Sequence, residues 1–339
     1  MIPHESVEAS QEFVEELRAA VPEVYFDRTT RLLYSTDASI YQMMPVGVAV
    51  PRDRDEVIAA VEIAGRHRVP ILPRGGGSSL AGQAIGHALI IDVSRHMDQV
   101  LEVNPAQRTV RTQPGITLGR LNRIVGKHGL QYGPDPASAD RATVGGILGN
   151  NSTGAHSIIY GMTVDHVLSM DVVMADARRA RFETFDGDWA ERAKRPGIEG
   201  QVYRRVPEIL ERYAGEIEAR YPKTFRHVAG YNLNQLHDVA QPNLAKLLVG
   251  SEGTLGITTE ATLNLVPTTK LQRLAMVHFS TLRAAMEATP VILESHPQAI
   301  EVLDKMMFDL ARERIEFRRL LTFVEGDPEI VLLVEYASD

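Results

Sequence analysis

The chain has 339 residues, 44% of them hydrophobic, with a formal net charge of −8 and no cysteine. Such length and apolar content suffice for one large or two to three smaller globular cores. The acidic balance argues against a chain whose main task is to neutralise nucleic-acid phosphates. The missing cysteine excludes disulfides, thiolate zinc sites and cysteine-ligated iron–sulfur clusters within these residues.

The opening stretch MIPHESVEASQEFVEELRAA is acidic and has no basic-then-apolar order, so it does not read as a secretory signal. Residues 1–40 form a helical lead-in, with Phe13, Val14 and Leu17 at helical spacing and Pro22 closing the helix. Met43–Pro51, the longest uncharged apolar stretch, is about half the ~20 residues of a membrane span. The expectation is a cytoplasmic protein with no membrane span and no nucleic-acid partner.

Val46–Val50 reads as a strand. Asp53 caps a helix running to Arg68, with Glu56 three residues on as in a capping box. A second strand, Val69–Leu72, leads into the glycine run. Ala88–Val93 follows as a buried-type strand, and Val100–Val103 and Thr109–Thr112 form a hairpin. Thr117 caps a helix through His128 that Gly129 ends, which closes a first α/β unit near residue 130. Val167–Met174 and Arg179–Thr184 are strands, and residues 200–220 are helical. Pro267 marks a boundary, after which strand, helix, strand, helix and strand alternate. The last of these strands, Glu329–Tyr336, is apolar enough to need neighbours on both sides. The chain therefore reads as the front part of a longer protein.

The chemistry is carried by glycine. PILPRGGGSSLAGQ places three consecutive glycines after a strand, an arrangement that aims backbone N–H groups at an anion with no Cβ in the way. It is not a Walker A loop, because Gln83 and Ala84 stand where Lys and Ser or Thr belong, and it lacks the third glycine of the dinucleotide fingerprint. By itself the stretch reads equally well as a solvated loop. Two further segments, ATVGGILGNNSTG and GSEGTLG, make the same demand for small residues. Three such segments from separate places point to one long ligand lying along backbone, and a dinucleotide has that length.

PRGGGSSLAGQ, PDPAS, ATVGGILGNNSTGAHS with Tyr160-Gly161, and GSEGTLGITTEA occur in an order and at intervals that resemble the FAD-binding domain of vanillyl-alcohol-oxidase-type flavoproteins. Within that superfamily the chain is most similar to the FAD-linked D-2-hydroxy acid dehydrogenases acting on D-lactate, glycolate or D-2-hydroxyglutarate. The wording NNSTGAHSIIYGMTVDHV looks closest to the long bacterial members that carry a following iron–sulfur region. The resemblance implies an α+β fold: a two-subdomain FAD-binding domain over residues 41–267, divided near 130, then an incomplete α+β substrate domain over 268–339.

It also implies the site. Arg74, Gly75, Gly76, Gly77, Ser78, Ser79 and Leu80 would form the loop on the FAD pyrophosphate, and Pro134, Asp135 and Pro136 the loop beside the flavin. Thr143, Gly145, Gly146, Gly149, Asn150, Ser152, Thr153 and Gly154, with Tyr160 and Gly161, would run under its ribityl and ring parts. Glu252, Gly253, Leu255, Gly256 and Ile257 would close over the adenosine end. Ser78 occupies the place where some relatives tether FAD through histidine, so the cofactor is expected to be non-covalent. An iron–sulfur cluster is expected only in a region beyond this chain.

The implied reaction takes a hydride from a D-2-hydroxy acid to flavin N5, giving the 2-oxo acid, with an electron acceptor that the sequence does not specify. His156, Tyr231 and Asn232 are the candidate catalytic residues, each with an ordinary packing role as the alternative. His227, His237 and Asp238 have no metal-ligand spacing, and no metal set is assigned. Two other readings stay open: a sugar or alditol oxidase or UDP-sugar reductase on the same flavin fold, and a non-catalytic flavin-binding electron-transfer module.

Overall fold

The computed structural model describes residues 9–338, so the first eight residues of the expected lead-in lie outside the described residues. Ser10 caps the first helix, α1 (Gln11–Ala20), accepting a hydrogen bond from the Phe13 N–H; Phe13 and Leu17 face inward. After β1 (Val24–Tyr25) and α2 (Arg28–Leu33), the strand β2 (Gly47–Ala49) enters a fully buried position. Asp53 caps α3 (Arg54–Arg66) by accepting from the Glu56 N–H. The Glu56 carboxylate reaches back one residue further than a capping box requires, to the Arg52 N–H at 2.8 Å. The strands β3 (Ile71–Arg74) and β4 (Leu89–Asp92) complete a four-stranded sheet in the order β1-β2-β4-β3, with β2, β4 and β3 parallel. Val57, Ala60, Val61 and Ala64 of α3 pack with Phe13 and Leu17 on one face of this sheet.

The hairpin β5 (Val100–Asn104) and β6 (Thr109–Thr112) forms as expected. Thr117 caps α4 (Leu118–Val125), a short 3-10 turn continues to His128, and Gly129 ends it with φ +68°. Then come β7 (Leu130–Gln131), α5 (Val144–Asn150), α6 (Ser157–Tyr160), α7 (Thr163–His166), β8 (Val167–Val173) and β9 (Arg179–Glu183). Three helices, α8 (Trp189–Arg192), α9 (Gly197–Arg212) and α10 (Ala214–Arg220), cover the 190–220 region, followed by α11 (Ala245–Leu248) and β10 (Ile257–Asn264).

The expected break near 130 does not separate the two sheets. β6 pairs antiparallel with β10, so the hairpin joins a five-stranded sheet ordered β5-β6-β10-β8-β9. Periodicity identifies strands but not their partners, and β6 and β10 are joined across a long separation in sequence. Val173 and Ile257 of this second sheet also bury into the core beneath α3.

The chain divides into two compact units. The first takes in residues up to Tyr132, Pro136–Ser152 and Met162–Val266; the second takes in Gly133–Asp135, Thr153–Gly161 and the residues from Pro267 on. Following β11 (Val266–Pro267), the second unit contains β12 (Leu271–Phe279), α12 (Leu282–Leu293), β13 (Ala299–Asp304), α13 (Lys305–Glu313), α14 (Ile315–Arg318) and β14 (Ile330–Ser338). The apolar β14 is central, antiparallel to β12 on one side and to β13 on the other. Ile330, Leu332 and Val334 pack with Ala285 of α12. Among the described residues no helix is long and apolar enough to cross a membrane.

Candidate functional site

In a parallel sheet the carboxyl ends of the strands are the usual seat of a ligand, and the glycine run leaves β3 at that end. Within the first unit the three small-residue segments meet. A Cβ on Gly75 would run into the Thr143 hydroxyl, and one on Gly76 into the backbone carbonyl of Arg141. Gly253, at φ +79°, has no room for a Cβ because of the Pro73 ring. The Glu252 N–H donates to the Gly149 carbonyl at 2.9 Å, and the Gly250 N–H to that of Leu148 at 2.9 Å. Gln83 Nε2 donates to Glu252 Oε1 at 3.1 Å, while its Oε1 accepts from the Ser79 hydroxyl and from the Ala81 N–H.

These contacts correct one expectation. At Gly75, Gly76 and Gly253 the space that a side chain would fill is taken by other parts of the protein. The glycines let three loops pack backbone against backbone, and the ligand-facing donors are a product of that packing.

The first loop keeps its donors free. Among the described residues, the N–H groups of Gly76, Gly77, Ser78 and Ser79 have no acceptor in the protein. All but Gly76 belong to half-buried residues, and Gly77 has φ +63°. Consecutive unpaired N–H groups form a concavity suited to an anion with several acceptor oxygens. The donor set therefore fits a pyrophosphate. Leu80 is 80% exposed at the loop's rim.

Arg74 sits differently from a phosphate ligand. Its Nη1 donates to the carbonyls of Tyr34 (3.1 Å) and Ala84 (3.0 Å), and its Nη2 to that of Thr36 (2.9 Å). The guanidinium lies over the Tyr34 ring, 5.1 Å from its centroid. Burial lowers the Arg74 pKa, with Asp92 opposing the shift. The Tyr34 hydroxyl donates to the buried Asp92 carboxylate at 2.6 Å, and burial followed by that neighbouring charge pushes the phenol pKa up. The Ala38 N–H donates to the Gly77 carbonyl (3.0 Å), and Asp37 accepts from the Ala84 N–H (3.3 Å). The segment 34–38 is thus the frame of the glycine loop. The sequence reading missed Asp37 and Gln83. In the sequence Gln83 stands out only as the wrong residue for a Walker lysine, although a polar side chain there is a usable signal.

The second segment is a helix where the sequence suggested only small residues. Thr143, 2% exposed, caps α5 by accepting from the Gly146 N–H at 3.3 Å, while Val144, Ile147 and Leu148 are buried. Gly145 donates to the Pro114 carbonyl at 2.7 Å, and its missing Cβ leaves room for Pro114. Asn150 Nδ2 donates to the Ser152 hydroxyl at 3.0 Å; the Ser152 carbonyl accepts from the Thr163 hydroxyl at 2.8 Å. In the third segment Leu255 packs against the main core, and Gly256 leads into the buried Ile257 at the start of β10.

In the second unit Asp135, flanked by Pro134 and Pro136, binds His156 twice. Its Oδ1 accepts from the His156 N–H (3.1 Å), and its Oδ2 lies 2.5 Å from Nδ1. A Cβ on Gly154 would run into Asp135. Thr153 lies between Ser152 and this glycine. The Tyr160 ring lies beside that of His156, and Gly161 ends α6 at φ +80°.

Of the catalytic candidates, Asn232 is committed elsewhere. It is 4% exposed, and its Nδ2 donates to the carbonyls of Lys246 (3.2 Å) and Val249 (2.7 Å), tying the 230 loop to α11 just before the third segment. Tyr231 is 43% exposed, its hydroxyl 2.9 Å from that of Thr254. Asn232→Leu should cost about 2–4 kcal/mol, since the swap leaves the buried Val249 carbonyl and the half-buried Lys246 carbonyl without that donor, whereas Tyr231→Phe should stay within about 0.5 kcal/mol of wild type. Urea unfolding of the two variants checks this, and equal midpoints would remove the structural role of Asn232.

Residues 45–183 match the FAD binding domain family and residues 268–339 the family of the FAD linked oxidases' C-terminal domain. The chain is 35% identical to a D-2-hydroxyglutarate dehydrogenase of Pseudomonas putida over 97% of its own length and 34% of that protein's. It is 32% identical to the glycolate oxidase subunit GlcD of Bacillus subtilis over 85% of its length and 52% of the relative's. The chain thus spans about a third to a half of the curated relatives it matches. Among solved structures, alkyldihydroxyacetonephosphate synthase superposes with a TM-score of 0.69 at 23% identity, covering 98% of this chain and 56% of that one, a likeness of fold. With a loop suited to pyrophosphate and both domain families matched in order, the chain carries the FAD binding domain and the C-terminal domain of the FAD linked oxidases, and its cofactor is FAD.

Proposed function

We propose that this chain is the FAD-holding part of an oxidoreductase that converts a D-2-hydroxy acid to the 2-oxo acid. The observation that carries the reading is the run of free N–H groups at Gly76, Gly77, Ser78 and Ser79, held against the α5 segment and the Glu252 loop. Relatives described as D-2-hydroxyglutarate dehydrogenase and glycolate oxidase subunit support the substrate class.

In this reading the four N–H groups would hold the pyrophosphate, while Arg74 holds the loop that presents them. The Ser78 hydroxyl, which has no partner among the described residues, adds a further donor. Thr143 fixes the first turn of α5, where Gly146 would offer the flavin part backbone without a projecting side chain. Glu252, Gly253 and Leu255 would close over the adenosine end. FAD when bound supplies the hydride acceptor at its N5. With serine at position 78, the cofactor is held without a covalent bond.

The same geometry argues against His156 as the base that takes the substrate's hydroxyl proton. A general base needs a free lone pair within reach of the proton, and both ring nitrogens of His156 face carboxylates. Its pKa is pushed up to about 9, chiefly by the hydrogen bond that the ring donates to Asp135, with burial opposing and Glu335 adding to the rise. The ring therefore holds its proton at neutral pH.

The purified protein should take up one FAD per chain, with a Kd of about 1 μM or tighter, corresponding to about −8 kcal/mol. Flavin fluorescence measures this, and anaerobic D-2-hydroxyglutarate, D-lactate and glycolate then test whether the bound flavin bleaches. A chain that refuses FAD overturns the reading. Bleaching by a sugar or an alditol, and by none of the three acids, would replace the substrate class.

A further inference from the structure

Within the second unit His156 joins three stretches that are far apart in sequence. Asp135 accepts from its backbone N–H at 3.1 Å and meets ring Nδ1 at 2.5 Å, while Glu335 Oε1 on β14 lies 3.1 Å from ring Nε2. Neither carboxylate has another cationic partner among the described residues. Glu335 stands on the central strand, opposite Leu274 of β12 and Ala299 of β13, so its backbone is fixed from both sides. The turn is also short of slack. Gly154 closes directly on Asp135, Ser157 is 1% exposed and accepts from the Gly154 N–H at 2.9 Å, and the Tyr160 N–H bonds back to the His156 carbonyl at 3.0 Å.

A neutral imidazole has one N–H and cannot donate at both nitrogens. With carboxylates at Nδ1 and Nε2, the site is built for the imidazolium. Loss of the proton removes one of the two ring bonds and leaves two carboxylates facing each other across a neutral ring.

We propose that His156 is a pH-sensitive clamp: held as an imidazolium between Asp135 and Glu335, it fixes the turn 154–161, and the turn loosens when the ring loses its proton.

The ring's pKa, raised from 6.5 to about 9, agrees with this geometry. A pKa raised in the folded state gives stabilisation that is complete below about 6.5 and is lost as the pH rises through about 9. The charged groups that shift the ring are Asp135 and Glu335. Tyr160 on α6, Tyr336 on β14, Glu301 and Asp304 on β13, and Arg273 and His278 on β12 are the other ionisable residues on the elements around it, and none of them is among the causes of the shift.

Two measurements on the full chain and on its His156→Gln and Glu335→Gln variants test the clamp. Histidine ring NMR on the ligand-free protein should show two N–H groups on His156 at pH 7, lost with a midpoint near 9, and Glu335→Gln should lower that midpoint by about one unit. Amide exchange in 154–161, corrected for intrinsic base catalysis, should speed up by about tenfold across the same midpoint. In His156→Gln it should already be fast at pH 7 and flat with pH. A residue that only filled space would leave exchange in 154–161 without a step at the midpoint of the ring. Titration of His156 near its ordinary value, or His156→Gln with wild-type exchange at pH 7, overturns the proposal.

Discussion

Gly76→Ala should weaken FAD binding by about 100-fold or more. The added Cβ would meet the Arg141 carbonyl, which is backbone and cannot rotate away as a side chain can. The N–H groups of Arg141 and Ala142 both bond to the Ser138 carbonyl, at 2.8 and 2.7 Å, and the Ala142 carbonyl accepts from Leu118 at the start of α4. The glycine loop must therefore move, and with it the four free donors. Overpacking of this kind costs about 1–3 kcal/mol, and a 100-fold loss corresponds to about 2.7 kcal/mol. Gly65→Ala is the control. It lies inside α3 with nothing within 4 Å of the new atom, so it should stabilise the fold by about 0.5–1 kcal/mol through helix propensity and leave FAD affinity unchanged. Fluorescence titration and thermal unfolding of both variants read the two effects, and wild-type FAD affinity in Gly76→Ala would show that the close packing of loop on loop is irrelevant to the site.

The contrast between these two glycines shows where the sequence is readable. Strands and capped helices are local: Asp53, Thr117, Thr281 and Asp304 all cap the helices that begin after them, and each has its partner three residues on. The site's demand for small residues was equally plain. Its reason was not, because the obstacle to a side chain at Gly76 is a carbonyl sixty-five residues away, and the one at Gly253 is Pro73. α5 was hidden by composition. Three glycines in seven residues weigh against a helix, yet Val144, Ile147 and Leu148 at helical spacing behind a Thr cap held the evidence for it. Glu335 could not have been found this way. Its partner lies 179 positions earlier, and a single glutamate on a strand carries no local mark.

Arg74 shows how the same limit affects the assignment of roles. An arginine beginning a phosphate loop invites the reading that its charge meets the phosphate, but here the guanidinium is spent on the carbonyls of residues 34, 36 and 84 and on the Tyr34 ring. The two roles separate in substitutions. If Arg74 met phosphate, Arg74→Lys would keep the positive charge and most of the affinity, and Arg74→Met would lose far more. As the frame of the loop, Arg74 relies on a planar fork that bonds in several directions at once, which an ammonium group cannot copy. Each hydrogen bond from a charged group contributes about 1.5–3 kcal/mol, and relaxation of the loop recovers part of the loss. Both variants should therefore be destabilised by about 2–4 kcal/mol in urea, and both should lose FAD affinity by about 10- to 100-fold, with Lys no better than Met by more than about threefold. An Arg74→Lys protein with wild-type stability and affinity, beside a crippled Arg74→Met, would return the guanidinium to the phosphate. The frame formed by residues 34–38 would then lose its central support.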